Sequence, residues 1–298
     1  MSGRGKRGKT RGNKYAYLAQ TKPRDVLGDL VSTRPPVDRI FIKPDENQLK
    51  KRWIIAGDVS VYLKMEYLAA ERVFRGLPSP LVRSGRLALE DAAERIRLVG
   101  ERTASVPLDQ TGFDHQITVE MVLTAIRVMR EFYTDARALE IFDLLLEQLP
   151  KTVLSYKKRT GTVFERRWRN GLLSGWRWTG VLNTVINLAE FEVVRTQLGP
   201  WDKVVFYSAM GDDDDVFASD LATCVQIALL YRHNLGPEAL NLKKFFISRT
   251  TSEYLRKITA PGRTVGYPAR LLNSILWRKP QSEPQNNGGV RLEQIGAS

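Results

Sequence analysis

The segment VVFYSAMGDDDDVFAS, residues 204–219, sets one glycine and four consecutive aspartates between two apolar runs. Runs rich in valine and phenylalanine are typical of β-strands, and glycine readily adopts the positive φ of a tight turn. The segment therefore predicts a β-hairpin with an acidic tip. Adjacent carboxylates repel one another, and Mg²⁺ or Mn²⁺ bound to their oxygen atoms would offset that repulsion. Taken alone, the run leaves two interpretations open: a solvated acidic turn, or a hairpin that holds metal ions.

The charge distribution indicates a polyanionic partner. The 298 residues include 46 basic and 33 acidic side chains, a formal net charge of +13. Residues 1–52 hold 14 Lys/Arg against 5 Asp/Glu, and residues 151–177 hold 8 against 1, so two blocks account for the whole excess. Such blocks are typical of nucleic-acid binding, with a merely solvated surface as the alternative. A polyanion that extended from them to the acidic hairpin would need metal ions on the aspartates.

The cysteine count and the apolar content narrow the class of protein further. The single cysteine, Cys224, excludes an internal disulfide and fits a reducing compartment. No apolar stretch approaches the roughly 18 residues of a membrane helix, so we expect no membrane span.

The remaining pattern mixes strands and helices. It predicts an α+β fold in which a small antiparallel sheet carries helices on one face. Strands are predicted at 39–42, 52–55, 104–109, 243–248 and 252–258, and helices at 61–76, 88–100, 116–133, 135–149, 179–198 and 220–236.

Polar side chains before the acidic hairpin form two further candidate groups. Asp109 ends a predicted strand, and Asp114 follows five residues later across a predicted turn. Thr179, Asn183 and Asn187 are spaced four apart, so they share one face of a predicted helix. These three side chains could serve helix packing or bind the hydroxyl of a ligand.

Together these segments resemble a known family. In this order, LDQTGFD, SGWRWTGVLN and GDDDDV are similar to palm motifs A, B and C of viral RNA-dependent RNA polymerases. The family patterns are D-x4-D, S-G-x3-T-x3-N and G-D-D. KPDENQLKKRWII resembles the basic finger motif F, and NLKKFFISRTTSEYLRKI resembles motifs D and E, especially those of totivirus-like and reovirus-like double-stranded RNA viruses. The resemblance covers roughly residues 30–275 and implies a right-hand polymerase fold.

The resemblance also implies a division of the chain. Its segments would be fingers at 1–100, palm at 101–132, a finger insertion at 133–170, palm again at 171–260, and the start of a thumb at 261–298. The thumb would be truncated, so we expect a trimmed catalytic core, a partial sequence or a minimal polymerase.

Roles for individual residues follow from the same resemblance. Two Mg²⁺ or Mn²⁺ ions would be bound by Asp109, Asp212 and Asp213. The ribose 2′-hydroxyl would be recognised by Asp114 and Asn183, with Ser174, Gly175 and Thr179 completing the substrate-binding motif. The triphosphate would be held by Lys43, Lys50, Lys51 and Arg52. Lys244 is the candidate general acid, and Lys243 fits the motif equally well.

The alternatives concern both the register and the function. Four aspartates stand where the family usually has two: alignment from Gly211 selects Asp212 and Asp213, whereas alignment from the downstream strand selects Asp214 and Asp215. We favour the glycine register, because the upstream strand sets where the first carboxylate leaves the sheet. The rival functions are a reverse transcriptase-like polymerase and a non-catalytic RNA-binding viral protein.

The implied partners are RNA template, nascent RNA and ribonucleoside triphosphates, with a viral capsid or other replication proteins beyond them. The implied location is the host cytoplasm or the virion interior.

Overall fold

The computed structural model describes residues 14–42, 53–69, 79, 86–101, 103–158, 160–200, 203–236, 239–242 and 245–267. The helices are α1 (Lys14–Gln20), α2 (Pro23–Leu30), α3 (Val59–Leu68), α4 (Arg86–Gly100), α5 (Phe113–Gln116), α6 (Val119–Arg130), α7 (Ala136–Gln148), α8 (Thr179–Gln197) and α9 (Leu221–Leu235). The strands are β1 (Val37–Ile42), β2 (Trp53–Ala56), β3 (Ala104–Val106), β4 (Val153–Lys157), β5 (Val163–Arg167), β6 (Val204–Met210), β7 (Asp213–Ala218), β8 (Ser252–Tyr254), β9 (Lys257–Ala260) and β10 (Arg263–Gly266). None of the helices among these residues is long and apolar enough to cross a membrane.

The strands form three separate sheets. One has the order β2-β1-β4-β5, the second β3-β7-β6 and the third β10-β9-β8. In the second sheet β7 is central and antiparallel to both neighbours, with Phe217 opposite Ser105 and Val216 opposite Tyr207. We define β6, its turn and β7 as the acidic hairpin, and β3 pairs with it along the outer side of β7.

Helix α8 connects the two main hydrophobic cores. Its first half buries Val181 and Leu182 in a core shared with α3, α6 and α7. Its second half buries Phe191 and Val194 in a core shared with α9 and the β3-β7-β6 sheet. One rigid helix thus fixes the sheet relative to the helical part of the chain.

The β3-β7-β6 sheet carries helices on both faces. Because side chains alternate along a strand, Val216 packs towards α8 and α9 while Phe217 points the other way. On that second side Phe217 contacts Leu98 and Val99 of α4. The expectation of helices on one face only is therefore wrong, because α4 covers the opposite face.

Several predicted elements differ from those observed. The strands β4 and β5 were not predicted, and β4 pairs in parallel with β1, whose residues are more than 100 positions earlier. The segment predicted as a strand at 243–248 has no strand in its described residues, apart from an isolated bridge from Ser248 to Ser105. The strand predicted at 252–258 is two strands, β8 and β9, joined by a turn at Leu255 and Arg256.

A buried lysine in α3 joins α3 to α7 and to the segment before β1. Lys64 of α3 is fully buried, and its Nζ donates to the carbonyl of Ser32 at 2.8 Å and to Oε1 of Gln148 at 2.9 Å. Burial lowers the pKa of Lys64 to about 8, because the charged form loses its hydration. The two acceptors join α7 and the segment before β1 to α3.

The segment before α8 lies directly against β2 at Gly175. A β-carbon placed on Gly175 would lie 1.7 Å from the carbonyl oxygen of Ile55, which is backbone and cannot turn aside. A side chain at this position would therefore push the segment away from β2.

We expect Gly175→Ala to lower the free energy of unfolding by about 1–3 kcal/mol, the usual cost of overpacking. Thermal and denaturant unfolding would measure the change. The matched control is Gly28→Ala in α2, where nothing lies within 4 Å of the added carbon. There alanine should stabilise the helix by about 0.5–1 kcal/mol. Equal stabilities for the two variants would contradict the close approach.

Candidate active site

The turn of the acidic hairpin consists of Gly211 and Asp212. Met210 pairs with Asp213 across it, so the connection has two residues. Gly211 has a φ of +69°, which suits the first position of the turn types that match the twist of a hairpin. Asp212 therefore lies at the tip and Asp213 begins β7, and both side chains are exposed.

Asp109 lies beside Asp213. The two residues form an antiparallel bridge that extends the β3–β7 pairing towards the turn. The backbone carbonyl of Asp109 also accepts a hydrogen bond from the N–H of Asn241 at 2.8 Å, which fixes the chain just after β3. Two carboxylates that are 104 positions apart in the sequence thus extend from adjacent strands.

These three aspartates line one cavity of about 620 Å³, which we call the acidic cavity. Its other wall includes the β8–β9 turn, where Leu255 and Arg256 have φ angles of +49° and +63°. The remaining lining residues are Pro107, Leu108, Asp214, Phe246, Glu253, Tyr254 and Tyr267.

The last two aspartates of the run are buried. Asp214 is 2% exposed at the border of the acidic cavity; its Oδ1 accepts from Asn187 at 2.9 Å and its Oδ2 from the hydroxyl of Tyr231 at 3.5 Å. Burial raises the pKa of Asp214 well above its usual range, and the Asn187 hydrogen bond only partly opposes this.

Asp215 faces the opposite side of β7. Its two oxygens accept from Nε of Arg95 at 2.8 Å and from the hydroxyl of Ser252 at 2.6 Å. Burial raises the pKa of Asp215, while the Arg95 charge acts in the other direction. The run thus divides into two exposed and two buried, hydrogen-bonded carboxylates.

Helix α8 holds the turn of the hairpin through two polar side chains. The hydroxyl of Thr184 accepts from the N–H of Gly211 at 2.9 Å and donates to the carbonyl of Gly180 at 2.7 Å. Asn187 donates from Nδ2 to the carbonyl of Gly211 at 2.9 Å, as well as to Asp214. Sequence reasoning placed Asn187 on the correct helix face but missed Thr184, for which the only signal is a hydroxyl within an apolar helix.

The buried side-chain amide of Gln110 extends this hydrogen-bond network from Asn187 to Glu190. Nε2 of Gln110 donates to Oδ1 of Asn187 at 3.2 Å and to Oε2 of Glu190 at 3.1 Å. Burial raises the pKa of Glu190 to about 7, and the Gln110 hydrogen bond opposes the shift. Neither Gln110 nor Glu190 was singled out from the sequence.

Asp114 and Asn183 lie in contact, as their motif positions predict. Nδ2 of Asn183 donates to Oδ1 of Asp114 at 2.6 Å, and Asp114 is half-buried in the short helix α5. Oδ1 of Asn183 is buried and has no hydrogen-bond partner among the described residues. Buried acceptors are normally satisfied, so this oxygen is an unsatisfied acceptor position beside Asp114.

The segment 174–179 is held mainly by its own backbone and by the first sheet. The hydroxyl of Thr179 lies 2.7 Å and 2.9 Å from the carbonyls of Leu173 and Trp176. The exposed Ser174 accepts weakly from the N–H of Ile55 at 3.4 Å. Nε1 of Trp176 donates to the buried carboxylate of Asp38 in β1 at 2.8 Å, so this tryptophan packs inside the protein.

A protein-family model described as viral RNA-directed RNA-polymerase matches residues 31–276. The chain belongs to this family.

Individual relatives of the chain come from the same class of viral proteins. A probable RNA-directed RNA polymerase of Giardia lamblia virus (isolate Wang) is 28% identical over 247 residues, which is 78% of this chain and 12% of that protein. The crystal structure of the RNA-dependent RNA polymerase of a human picobirnavirus superposes with a TM-score of 0.67 at 16% identity, covering 87% of this chain and 52% of that one. Its insertion loop deletion mutant gives 0.66, with 87% and 54% covered. The chain thus has an α+β fold similar to that of these right-hand viral polymerases and spans only part of each relative.

Several of the expected site residues lie outside the described residues. They are Lys43, Lys50, Lys51, Arg52, Lys243 and Lys244.

The acidic cavity suits hard divalent cations by the chemistry of its donors. Asp109, Asp212 and Asp213 offer carboxylate oxygens, the ligands that Mg²⁺ and Mn²⁺ prefer. In the part of the chain that the structure describes, no three acidic, histidine or cysteine side chains already form a metal-binding group. The donor types therefore fit such ions, and binding would require these side chains to turn towards a common point.

Glu190 should make the stability of this protein depend on pH. Its folded-state pKa of about 7 lies above the usual 4.5, so the fold favours the neutral form. This stabilisation is complete below the unfolded pKa and is lost as pH rises towards 7. Relative to Glu190→Gln, the wild-type free energy of unfolding should fall between about pH 5 and 7, by up to about 1.4 kcal/mol per pH unit.

Chemical denaturation at a series of pH values would measure this difference. Glu192→Gln is the control, because Arg195 lowers the pKa of Glu192, the opposite direction to the shift at Glu190. A flat difference for Glu190→Gln would contradict the burial of its carboxyl group.

Proposed function

We propose that this chain contains the catalytic core of an RNA-dependent RNA polymerase, which joins ribonucleoside triphosphates to an RNA strand under the direction of an RNA template. The observation that carries the proposal is the bridge between Asp109 and Asp213, which sets motif A beside motif C at the acidic cavity. Family membership supports the reaction class. The non-catalytic alternative required Asp109 to lie far from the hairpin, which the bridge contradicts.

In this proposal Asp109, Asp212 and Asp213 hold two Mg²⁺ or Mn²⁺ ions. Bound ions of this kind lower the pKa of the RNA 3′-hydroxyl and stabilise the pyrophosphate leaving group. The protein supplies the carboxylates from two adjacent strands and fixes them through Thr184, Asn187 and the bridge. Exposure of Asp212 and Asp213, against burial of the next two aspartates, supports the register that starts at Gly211.

Asp114 and Asn183 would recognise the ribose. A 2′-hydroxyl both donates and accepts, so a carboxylate with a neighbouring amide can bind it from both sides. The unpartnered Oδ1 of Asn183 supports this role. A reverse transcriptase would instead need a bulky side chain at the Asp114 position to exclude the 2′-hydroxyl.

Basic side chains would bind phosphate groups. The β4–β5 hairpin exposes Lys157, Lys158, Arg166 and Arg167, which suits contact with the template backbone. The motif F residues Lys43, Lys50, Lys51 and Arg52 would hold the triphosphate, and Lys244 or Lys243 would protonate pyrophosphate. Ser174, Gly175 and Thr179 would shape the substrate site through the segment before α8.

The right-hand subdivision remains part of the proposal. Fingers would comprise 1–100, with the palm at 101–132 and 171–260, an insertion at 133–170 and the beginning of a thumb at 261–298. The enzyme would act in the host cytoplasm or the virion interior, with viral capsid or replication proteins as further partners.

Primer extension with Mg²⁺ or Mn²⁺ tests the carboxylates. We expect Asp109→Ala and Asp212→Ala to lower the rate by about 100-fold or more, the scale for removing one stabiliser of transition-state charge. Asp143→Asn, at an exposed ion pair of α7, is the control and should extend primers normally. Full activity in Asp212→Ala would rule out the glycine register.

Competition between ribonucleotides and deoxyribonucleotides tests the sugar site. Asp114→Asn and Asn183→Ala should reduce the preference for ribonucleotides, measured as a ratio of kcat/KM values, by about 10-fold, because a hydrogen bond of about 1–2 kcal/mol to the 2′-hydroxyl is lost. The exposed Asn234→Ala on α9 is the control and should keep the preference. Unchanged discrimination in both site variants would remove the assigned role.

A further inference from the structure

The buried ion pair Arg95–Asp215 lies behind the acidic cavity. Arg95 comes from α4 and is 8% exposed; Asp215 comes from β7 and is fully buried. The guanidinium carbon of Arg95 also lies 4.5 Å from the ring centroid of Tyr254 and 5.0 Å from that of Phe206. Arg95 therefore contacts the acidic hairpin and β8 at the same time.

Asp215 also contacts both α4 and β8. One oxygen accepts from Arg95, and the other accepts from the hydroxyl of Ser252 in β8. Asp215 is two residues beyond Asp213 on the same strand, and Ser252 is three residues before Leu255. The same side chains that join β7 to β8 are thus close to both walls of the acidic cavity.

No continuous backbone ladder joins these two walls. The hairpin belongs to the β3-β7-β6 sheet and the β8–β9 turn to the β10-β9-β8 sheet. Among the described residues, the isolated bridges Ser105–Ser248 and Gln110–Leu240 link β3 and the segment after it to the chain before β8, and neither bridge involves β8 itself. The separation of the walls therefore depends on side chains, and the Arg95–Asp215–Ser252 group occupies the junction.

We propose that Arg95 and Asp215 are positioning residues that set the width of the acidic cavity. They hold the β8–β9 turn at a fixed distance from Asp212 and Asp213, and so set the space that a bound substrate has beside these carboxylates. This part of the inference rests on the proposed polymerase function. Asp215 thereby gains a role, although its carboxylate is turned away from the candidate metal ligands.

The test needs a variant that folds. Removing one partner leaves an uncompensated buried charge. Asp215→Asn alone would therefore destabilise the protein, and a loss of activity would not show whether the width of the acidic cavity had changed. Replacing both partners with apolar residues of similar size is often neutral for stability, which makes the double variant R95M/D215L the informative one. The control is R130Q/D143N, which removes an ion pair between α6 and α7.

The first measurement is the distance between spin labels on Val205→Cys and Lys257→Cys, both exposed sites outside the cavity. We expect one narrow distribution in the otherwise wild-type protein and in R130Q/D143N. In R95M/D215L we expect a shifted or broadened distribution, with a melting temperature close to that of the control. An unchanged distribution in R95M/D215L would overturn the proposal.

The second measurement is primer extension. Misplacement by about 1 Å costs up to about 100-fold in rate, so kcat of R95M/D215L should fall by about 10- to 100-fold while KM for nucleotides stays near the wild-type value. Wild-type kcat in R95M/D215L would overturn the proposal. If the wild-type protein extends no primer, the proposed polymerase function is wrong. The spin-label distances still decide in that case whether Arg95 and Asp215 set the width of the acidic cavity.

Discussion

The geometry of the acidic site depends on the contact between α8 and the turn at Gly211. Asn187 and Thr184 bind the carbonyl and the N–H of this glycine from inside the protein. Loss of these hydrogen bonds would leave the buried polar groups of Asn187 and Thr184 unsatisfied, at a desolvation cost of about 1–3 kcal/mol. The helix and the turn are therefore held in one relative position. Because α8 also belongs to both main cores, the position of the turn is fixed by most of the folded chain.

The four aspartates show how one hairpin can separate solvent-exposed from buried carboxylates. Alternation directs Asp214 towards α8 and α9 and Asp215 towards α4 and β8. Each buried carboxylate meets donors that reduce the cost of removing it from water, whereas Asp212 and Asp213 remain at the open end of the hairpin. Mutual repulsion along the run is thus reduced by distributing the carboxylates among different environments.

Local patterns predicted much of the candidate site. The hairpin, α8 and the Asp114–Asn183 contact follow from strand-type runs, helical spacing and motif order. The β4–β5 hairpin was missed because its basic residues were interpreted as a phosphate-binding block and not as strands, and because its parallel pairing with β1 connects distant segments. The position of α4 behind the sheet was missed as well, since a helix's own sequence does not specify which sheet face it covers.

The sequence by itself determined that a strongly acidic turn would follow an apolar strand, and that polar residues of helix α8 would share one face. Only the tertiary structure decided which aspartates stay in solvent. Arg95, which binds Asp215, is 120 residues away in the sequence, and Asn187, which binds Asp214, is 27 residues away. These partners therefore cannot be inferred from neighbouring positions. The physical reason is that the burial of a charged group is decided by the donors that folding brings to it, and not by the residue type alone.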